Sequence, residues 1–408
     1  MKHAAALDLV QRTPTLDDLS HTDWDVVVVG AGPAGAAAAI GLAQLGRRVL
    51  LVEAKAFPRD KVCGGCLNAR AWNQLQQLGV DQALLQAGAA RLDKMRLITG
   101  RHSAAWQLPE MTACSRRLLD ALLVQHARQL GVAFVDQTSA RVLGDNTGNH
   151  REVELAQADG RRVRRQPRVV ICADGLNHSS LRSLGEFESV VSEFSRVGLG
   201  ANLPDTGVAL PAGQLTMVVD RVGYVGIARI EDNRLSVAAA VDSHALAGHA
   251  GTAELIVDIL NRAGIDCPAN WHEASWLGTP GLTRRTGRVA DRRLFVIGDA
   301  AGYVEPFTGE GIAWALESAA MVVPMVDAAC SGWKDALASA WTESWKKEIV
   351  GSQWMCRLLT KLLRQPKLAA LAMTGCRMVP AVPRYVLRRI NRPVANSPSA
   401  PLGQSQLH

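Results

Sequence analysis

The sequence predicts an α/β fold in which a parallel sheet flanked by helices carries an inserted mixed β-sheet domain and a helical C-terminal region. Three observations predict it. Residues 25–53 read as strand, glycine-rich turn, helix and second strand, and two later apolar strands, Val169–Cys172 and Leu294–Ile297, end in Asp-Gly and Gly-Asp. Between these two, residues 185–290 hold four alternating strand-like runs and one helix. Continuous apolar runs are typical of parallel sheets, and alternating runs joined by turns are typical of antiparallel ones.

The composition is that of a globular protein: 408 residues, 48% hydrophobic and 20% charged. The net charge of +7 lies in the tail, because from Trp345 onward eleven Lys and Arg face one acid, Glu348, which leaves −3 for the first 344 residues. This distribution excludes a nucleic-acid-binding fold. The first 25 residues carry acids where a signal peptide needs an apolar segment, and no apolar run is long enough to span a membrane. Together with eight cysteines, these features predict a cytoplasmic protein with free thiols.

The turn after the first strand has the spacing of a dinucleotide-binding loop. The β-branched run Val26–Val29 leads into a G-x-G-x-x-G pattern, which is followed by the helical run Ala36–Leu45. The first glycine allows a tight turn, the second lets a pyrophosphate touch backbone, and the third lets helix and strand pack closely. The pyrophosphate would then sit at the helix N-terminus. The loop residues expected to contact the dinucleotide are Gly30, Gly32, Pro33, Ala34 and Gly35.

An acid ends the second strand of this unit. Glu53 follows the apolar strand Val49–Val52, and a carboxylate at this position hydrogen-bonds the ribose hydroxyls of a dinucleotide. The same carboxylate would repel a 2′-phosphate. The unit therefore predicts FAD or NAD rather than NADP.

Taken in order, these elements resemble the glutathione-reductase-type FAD-binding fold of the p-hydroxybenzoate hydroxylase superfamily. The resemblance covers residues 24–320 and joins the glycine loop, the Asp174-Gly175 element and the Gly298-Asp299 element. Within the superfamily, "KVCGGCL" at 61–67 and "GDAAGYVEPFTGEGI" at 298–312 are most similar to the geranylgeranyl reductase branch. The resemblance implies a Rossmann-like domain with FAD as the cofactor.

The resemblance also implies roles for individual residues. Asp299 would hold the ribityl chain, and the helix that starts within Gly309–Ile312 would lay its N-terminus on the pyrimidine edge of the flavin, where it stabilises negative charge. Arg116, in "SRRLLDALL", lies either near the phosphates or on a solvated helix, and the strand around Ala140 would border the adenine. The implied contacts are Cys63 and Gly64 in the loop at 61–67, and, in the later motifs, Asp174, Asp299, Gly309, Gly311 and Ile312.

The chain departs from the family pattern in two places. The segment "DGLNHSSLR" at 174–182 is one residue longer than usual, and the hairpin at 223–242 has Tyr224 as its one aromatic residue. A prenyl substrate is therefore not established by the sequence. A second G-x-G-x-x-G is absent, so electrons would come from NAD(P)H bound transiently or from a protein donor.

Two cysteines, Cys63 and Cys66, are spaced as in a redox dithiol. They lack the strand-to-helix context of a thioredoxin fold, and a zinc site would need a second close pair. The other interpretation is that Cys63 and the glycines approach the face of the flavin, which makes Cys63 a tentative catalytic residue. No metal site is inferred.

These motifs divide the chain into segments. The predicted ranges are a disordered extension at 1–23, the FAD-binding domain at 24–184 and 291–330, the substrate domain at 185–290, a helical region at 331–393 and a disordered tail at 394–408. The basic, partly apolar helices of 345–393 either contact a membrane peripherally or form a layer over the FAD-binding domain.

Three functions fit the sequence. The first is an FAD-dependent oxidoreductase that reduces an isoprenoid-type alkene in a hydrophobic molecule. The second is an aromatic or polyketide monooxygenase on the same scaffold, with the cofactor supplying the difficult chemistry in both. The third is a non-catalytic prenyl carrier, which has no reason to keep bare backbone where a flavin would lie.

Overall fold

The computed structural model describes residues 23–365 apart from 145–147, 206 and 308, and also residue 375. The strands are β1 (Val26–Val29), β2 (Val49–Val52), β3 (Cys66–Asn68), β4 (Ala90–Thr99), β5 (His102–Ala113), β6 (Ala133–Val135), β7 (Thr138–Val142), β8 (Val153–Gln157), β9 (Arg162–Arg165), β10 (Val169–Cys172), β11 (Ser189–Val191), β12 (Val197–Pro204), β13 (Gln214–Asp220), β14 (Gly223–Ile230), β15 (Arg234–Val241), β16 (Leu277–Gly281), β17 (Arg284–Thr286), β18 (Ala290–Asp291), β19 (Leu294–Val296) and β20 (Gly302–Tyr303). The α-helices are α1 (Pro33–Gln44), α2 (Ala69–Gln77), α3 (Asp81–Gln86), α4 (Arg116–Gln129), α5 (Ser243–Ala247), α6 (Thr252–Arg262), α7 (Gly311–Ser331), α8 (Ala336–Ser344) and α9 (Trp354–Leu363).

The nucleotide-binding half is built on a six-stranded sheet in the order β18-β19-β10-β1-β2-β6, parallel except for β18. Residues Val26–Val29 pair in register with Val49–Val52 on one side and Val169–Cys172 on the other. Both faces of these strands are buried, so they can be apolar at every position. The α/β fold expected from the sequence is confirmed.

The second half is an eight-stranded mixed sheet in the order β16-β12-β15-β14-β13-β4-β5-β3. Three of its strands, β3, β4 and β5, come from residues 66–113, which the sequence assigned to the FAD-binding range 24–184. The sheet predicted within 185–290 therefore extends beyond that range. The join is a parallel pairing of β4 with β13, in which Met95 lies opposite Leu215. Because β4 and β13 are far apart along the chain, no local sequence pattern indicates that they pair.

Two smaller sheets complete the β-structure. The antiparallel sheet β7-β8-β9 is the excursion that the turn signals between 138 and 170 indicated, and β11-β17-β20 links the two halves. Helix α6 packs with the mixed sheet through a core that contains the fully buried Trp271. Trp276 packs against this core and donates its indole N–H to the backbone oxygen of Trp271 at 3.0 Å. Core packing accounts for both tryptophans.

Helix α7 is the central helix of the molecule. By length and composition it is the one helix among the described residues that could cross a membrane, which differs from the expectation that no apolar run is long enough; two thirds of its most apolar stretch is buried inside the protein. It contacts α1 at a bare position, because a Cβ on Gly41 would lie 3.1 Å from a methyl carbon of Val323. On its other side, the Nε of Arg70 in α2 donates to Glu317 at 2.8 Å. Both charged side chains are buried, so α7 is a core helix.

The structure shows part of the predicted helical region at 331–393. Helix α8 is followed by a π-helical stretch, Trp345–Val350, and then by α9. Apart from Asp23 and residue 375, the predicted extension at 1–23, the tail at 394–408 and the segment from 366 to 393 lie outside the described residues.

The buried pair of Arg70 and Glu317 generates a test of the core. Replacing Arg70 by Leu leaves two buried carboxylates, Glu317 and Glu310, without their arginine, and we expect the free energy of unfolding to fall by about 3–5 kcal/mol in urea denaturation. The exposed Arg91→Leu variant is the control and should lose little.

The loss should depend on pH in a defined direction. Burial raises the pKa of Glu317, and the hydrogen bond from Arg70 opposes that rise. Without Arg70 the pKa of the folded state rises further, so the destabilisation should shrink as pH falls towards the ordinary glutamate value of 4.5 and be greatest at neutral pH and above. A loss that is constant with pH would contradict this account.

Candidate functional site

A cavity lies where the carboxyl ends of β1 and β10 meet the mixed sheet, with about 1300 Å³ of space including its open mouth. Its wall on the nucleotide-binding side comprises Gly32, Pro33, Ala34, Lys61, Cys63, Gly64, Arg116, Ala173, Gly175, Asp299, Gly309, Gly311 and Ile312. Its wall on the mixed sheet includes Leu215, Met217, Tyr224, Gly226, Ala238 and Ala240. The predicted residues Gly30, Gly35, Glu53, Ala140 and Asp174 lie outside this lining.

Gly30 and Gly35, which do not line the cavity, allow the backbone behind it to pack closely. Gly30 has φ of +101°, and a Cβ there would lie 2.4 Å from the backbone oxygen of Ala173. A Cβ on Gly35 would lie 1.9 Å from the backbone oxygen of Gly30. Neither position can hold a side chain. The close contacts of Gly30 with Ala173 and of Gly35 with Gly30 bring the N-terminus of α1 to the edge of the sheet beside β10.

Glu53 is buried at the end of β2 and accepts three hydrogen bonds. The donors are the backbone N–H groups of Ala31 at 3.2 Å and Lys55 at 3.1 Å, and the guanidinium of Arg59 at 2.8 Å. Burial is the largest single effect and opposes ionisation, but the hydrogen bond and charge of Arg59 and the two backbone N–H groups together outweigh it, and the pKa of Glu53 is lowered. Oε1 accepts only the Lys55 bond and so keeps a lone pair with which it can bind a ribose hydroxyl. That role stays a prediction.

Two cations reach the cavity beside the glycine loop. Arg116 is buried and bound through two hydrogen bonds of 2.9 Å to Asp120, and its guanidinium lies 3.4 Å from where a Cβ on Gly32 would be. It therefore lies by the loop and not on a solvated face. The Lys61 ammonium lies 2.9 Å from where a Cβ on Gly175 would be. Burial and then Arg116 lower the pKa of Lys61. Lys61 was not among the site residues predicted from the sequence, although it begins the loop at 61–67.

The Asp174 carboxylate supports the turn that borders the cavity. Its Oδ2 accepts the backbone N–H of Ser180 at 2.8 Å, whereas the buried Oδ1 has no hydrogen-bond partner. The neighbours Ala173 and Gly175 line the cavity. An orphaned carboxylate oxygen beside Gly30 suits a ligand that brings a hydroxyl donor.

The N-terminus of α7 faces the cavity with little side chain around it. Gly309 has φ of +75°, and a Cβ on Gly311 would lie 3.0 Å from the Tyr303 hydroxyl. Asp299 lines the same region. Glu310, in contrast, is turned into the core, where it pairs with Arg70 at 3.5 Å and accepts the thiol of Cys356. The bare backbone thus faces the cavity, and the acid next to it stabilises the start of the helix.

Cys63 and Cys66 both line the cavity. Cys63 is half-buried and its sulfur accepts the backbone N–H of Gly65 at 3.4 Å. Burial, with a smaller effect of Cys63, raises the pKa of Cys66 to about 12. Cys66 is therefore a thiol at neutral pH, which argues against a reactive dithiol. The position of Cys63 on the cavity wall agrees with the interpretation that it approaches a flavin.

The wall on the mixed sheet is mostly apolar. Small residues of β14 and β15 leave room, and Leu215, Met217 and Phe307 supply apolar surface. Tyr224 packs edge-on against Phe307 with ring centroids 5.0 Å apart. Its hydroxyl lies within hydrogen-bonding reach of the buried carboxylate of Glu305. The Oε1 of Glu305 accepts from Arg196 at 3.2 Å. Sequence reasoning named Tyr224 but not Glu305 or Arg196, which lie far from it along the chain.

Ala140 is placed away from this cavity. It lies in β7, partly buried against the main core. Its predicted position beside an adenine stays a prediction. The described residues contain no group of three His, Cys, Asp or Glu side chains able to hold a metal ion.

The donor set fits FAD. A dinucleotide needs bare backbone at a helix N-terminus, cations for its phosphates and acceptors for its hydroxyls, and the cavity supplies each. The sequence matches the FAD binding domain family over residues 23–338. The chain belongs to this family. It is an FAD-dependent oxidoreductase with the fold of the p-hydroxybenzoate hydroxylase-like superfamily.

The proteins similar in sequence to this chain include one named as a reductase and one named as a monooxygenase. A protein named menaquinone reductase from Mycobacterium tuberculosis is 30% identical over 74% of this chain and 76% of its own. A rifampicin monooxygenase from Streptomyces venezuelae is 26% identical over 76% of this chain and 65% of its own. Among solved structures, a flavin-dependent brominase superimposes with a TM-score of 0.76 at 18% identity, over 91% of this chain and 94% of the other. The last likeness concerns the fold alone.

The placement of Lys61 can be tested by flavin binding. We expect Lys61→Met to weaken FAD binding about ten- to a hundredfold, since a charge-assisted hydrogen bond contributes about 1.5–3 kcal/mol. Because binding a phosphate restores the lowered pKa of Lys61, FAD affinity of the unmodified protein should fall as pH rises into the alkaline range, and Lys61→Met should lose that dependence. Titration of flavin fluorescence measures both. The exposed Lys55→Met is the control, and an equal loss there would contradict a specific role for Lys61.

Proposed function

We propose that this protein reduces a carbon–carbon double bond in an isoprenoid-type hydrophobic substrate, with NAD(P)H or a protein donor as the reductant. The observation that carries the proposal is the wall on the mixed sheet, where an apolar surface carries one buried hydroxyl, that of Tyr224, backed by a carboxylate. The similarity of residues 61–67 and 298–312 to geranylgeranyl reductases supports it. A relative named menaquinone reductase supports it as well.

Saturating an alkene requires a hydride at one carbon and a proton at the other. FAD reduced by that donor would supply the hydride, and the chain must supply the proton. Burial and the neighbouring Glu305 raise the pKa of Tyr224 well above its usual value, so this hydroxyl is protonated throughout the physiological range. It can donate its proton as negative charge develops on the second carbon.

The groups behind Tyr224 allow the proton to be replaced. Burial raises the pKa of Glu305, and Arg196 opposes the rise. The guanidinium of Arg196 lies 5.7 Å from the centroid of the Tyr224 ring, where its charge stabilises a phenolate. A protonated Glu305 could therefore return a proton to Tyr224, while Arg196 stays charged and stabilises the phenolate.

The competing function is monooxygenation of an aromatic or polyketide substrate. It is favoured by the relative named rifampicin monooxygenase. The two reactions differ in their need for dioxygen and in what the product gains. A saturated product gains two hydrogen atoms, and an oxygenated product gains oxygen from dioxygen.

We expect anaerobic turnover to separate these functions. Holoenzyme with chemically reduced FAD should convert prenylated quinones or prenyl alcohols to products with one fewer double bond, as detected by mass spectrometry. In deuterium oxide the product should carry two deuterium atoms at carbon, because the N5 hydrogen of reduced FAD exchanges with solvent before it is transferred. Conversion only under dioxygen, with labelled oxygen in the product, would instead establish the monooxygenase.

A second test concerns the proton donor. We expect Tyr224→Phe to lower the rate of product formation about 10²- to 10⁴-fold, as loss of a general acid does. FAD affinity should be unchanged, because Tyr224 lies on the wall of the mixed sheet. Glu305→Gln should lower the rate while retaining a hydrogen-bond partner for the tyrosine. A Tyr224→Phe enzyme that turns over at the unmodified rate would rule out this role.

A further inference from the structure

The exposed large apolar side chains of the described part of the chain fall into two groups. Leu45 and Leu130 follow the C-terminal ends of α1 and α4, in the FAD-binding half. The other group, which we call the docking face, consists of Val190, Val191, Phe194, Leu277, Trp354 and Leu358. The Phe194 side chain is 73% exposed. A contiguous group of exposed apolar side chains is typical of a surface that binds a partner or a membrane.

Contacts join the members of the docking face. Val191 meets β16 at a bare position, since a Cβ on Gly281 would lie 2.5 Å from a methyl carbon of Val191, and Leu277 begins the same strand. At the end of α9, the Arg364 guanidinium donates to the backbone oxygen of Phe194. The loop after β11 therefore contacts β16 on one side and the C-terminal end of α9 on the other.

Helix α9 presents a mixed stripe to the outside. Its exposed residues recur at helical spacing and are Trp354, Arg357, Leu358 and Lys361. Tryptophan at the level of the headgroups, with leucine below and cations that extend to the phosphates, is the composition of a helix lying in a membrane interface. With ten residues, α9 is about 15 Å long and cannot span a bilayer.

The sequence that follows this helix is positively charged. Residues 366–408 contain six Lys and Arg and no acid. Exposed Glu188 and Glu193 flank the loop of Phe194, so the attraction to an anionic surface has to come from α9 and the residues after it. Each basic residue near an anionic membrane contributes about 1 kcal/mol, or about fivefold, to binding.

We propose that the docking face binds the headgroup region of an anionic phospholipid membrane. The face is continuous with the substrate end of the cavity, because Thr279 and Leu282, on either side of Gly281, line that cavity. Leu363 of α9 is buried in the same cluster as Met217, Tyr224 and Phe307. Delivery of a substrate from the bilayer rests on the proposed function, whereas the docking does not.

The test is co-sedimentation of full-length holoprotein with vesicles of phosphatidylcholine alone or mixed with phosphatidylglycerol. We expect binding to the mixed vesicles that weakens with salt. Trp354→Ser/Leu358→Ser should lower the partition coefficient at least about tenfold. Arg357→Gln/Lys361→Gln should lower it roughly thirtyfold on mixed vesicles and little on neutral ones. Leu45→Ser/Leu130→Ser is the matched control and should bind as the unmodified protein does.

Other results would overturn the proposal. These are failure of the unmodified protein to bind mixed vesicles, or an equal loss in the control variant. A change in oligomeric state of the Trp354→Ser/Leu358→Ser variant, seen by light scattering, with unchanged vesicle binding would assign the face to a second copy of the chain. The ratio of flavin to protein absorbance verifies that each variant is folded. Since no turnover is measured, failure of docking is distinguishable from failure of the proposed reductase activity.

Discussion

The close approach of β1, α1 and β10 is the constraint on which the rest of the structure depends. Gly30 and Gly35 have no space for a Cβ, since one would overlap the backbone of Ala173 and the other the backbone of Gly30 itself. This contact sets the N-terminus of α1 beside the end of β10. The bare loop at Gly32 and the cations Lys61 and Arg116 then border one space, with the orphaned oxygen of Asp174 beside the lining residues Ala173 and Gly175. A single packing constraint thus creates the polar end of the flavin site.

Two buried ionic networks keep that space open. Arg59 and Arg116 share Asp120, and Arg59 also holds Glu53, so the carboxylates behind the loop are neutralised before any ligand arrives. On the opposite wall, Arg196 pairs with Glu305 and Asp242. Desolvation makes such pairs weak contributors to stability, but breaking one leaves an isolated buried charge. They hold the two walls in fixed positions around an apolar cavity.

The sequence predicted the elements whose signals are local. The bounds of β1, β2 and β10 agree with prediction, because each is a continuous apolar run next to turn residues. What it did not predict depends on contacts between distant positions. The mixed sheet recruits residues 66–113 through a pairing with β13, and Glu305 meets Arg196 across 109 residues. Lys61 was missed for a related reason: a lysine in a loop has no periodic pattern that marks it as buried.

Helix α9 connects the two ends of the site. At one end the Cys356 thiol contacts Glu310, next to the bare start of α7. At the other, Arg364 shares Asp242 with Arg196, which in turn holds Glu305 beside Tyr224. A helix that only shielded the core would need apolar contacts alone. These polar contacts are specific in geometry, so a displacement of α9 has to disturb both the N-terminus that faces the flavin and the carboxylate behind the tyrosine. Direct polar contacts therefore link the outer helix of the molecule to both ends of the site.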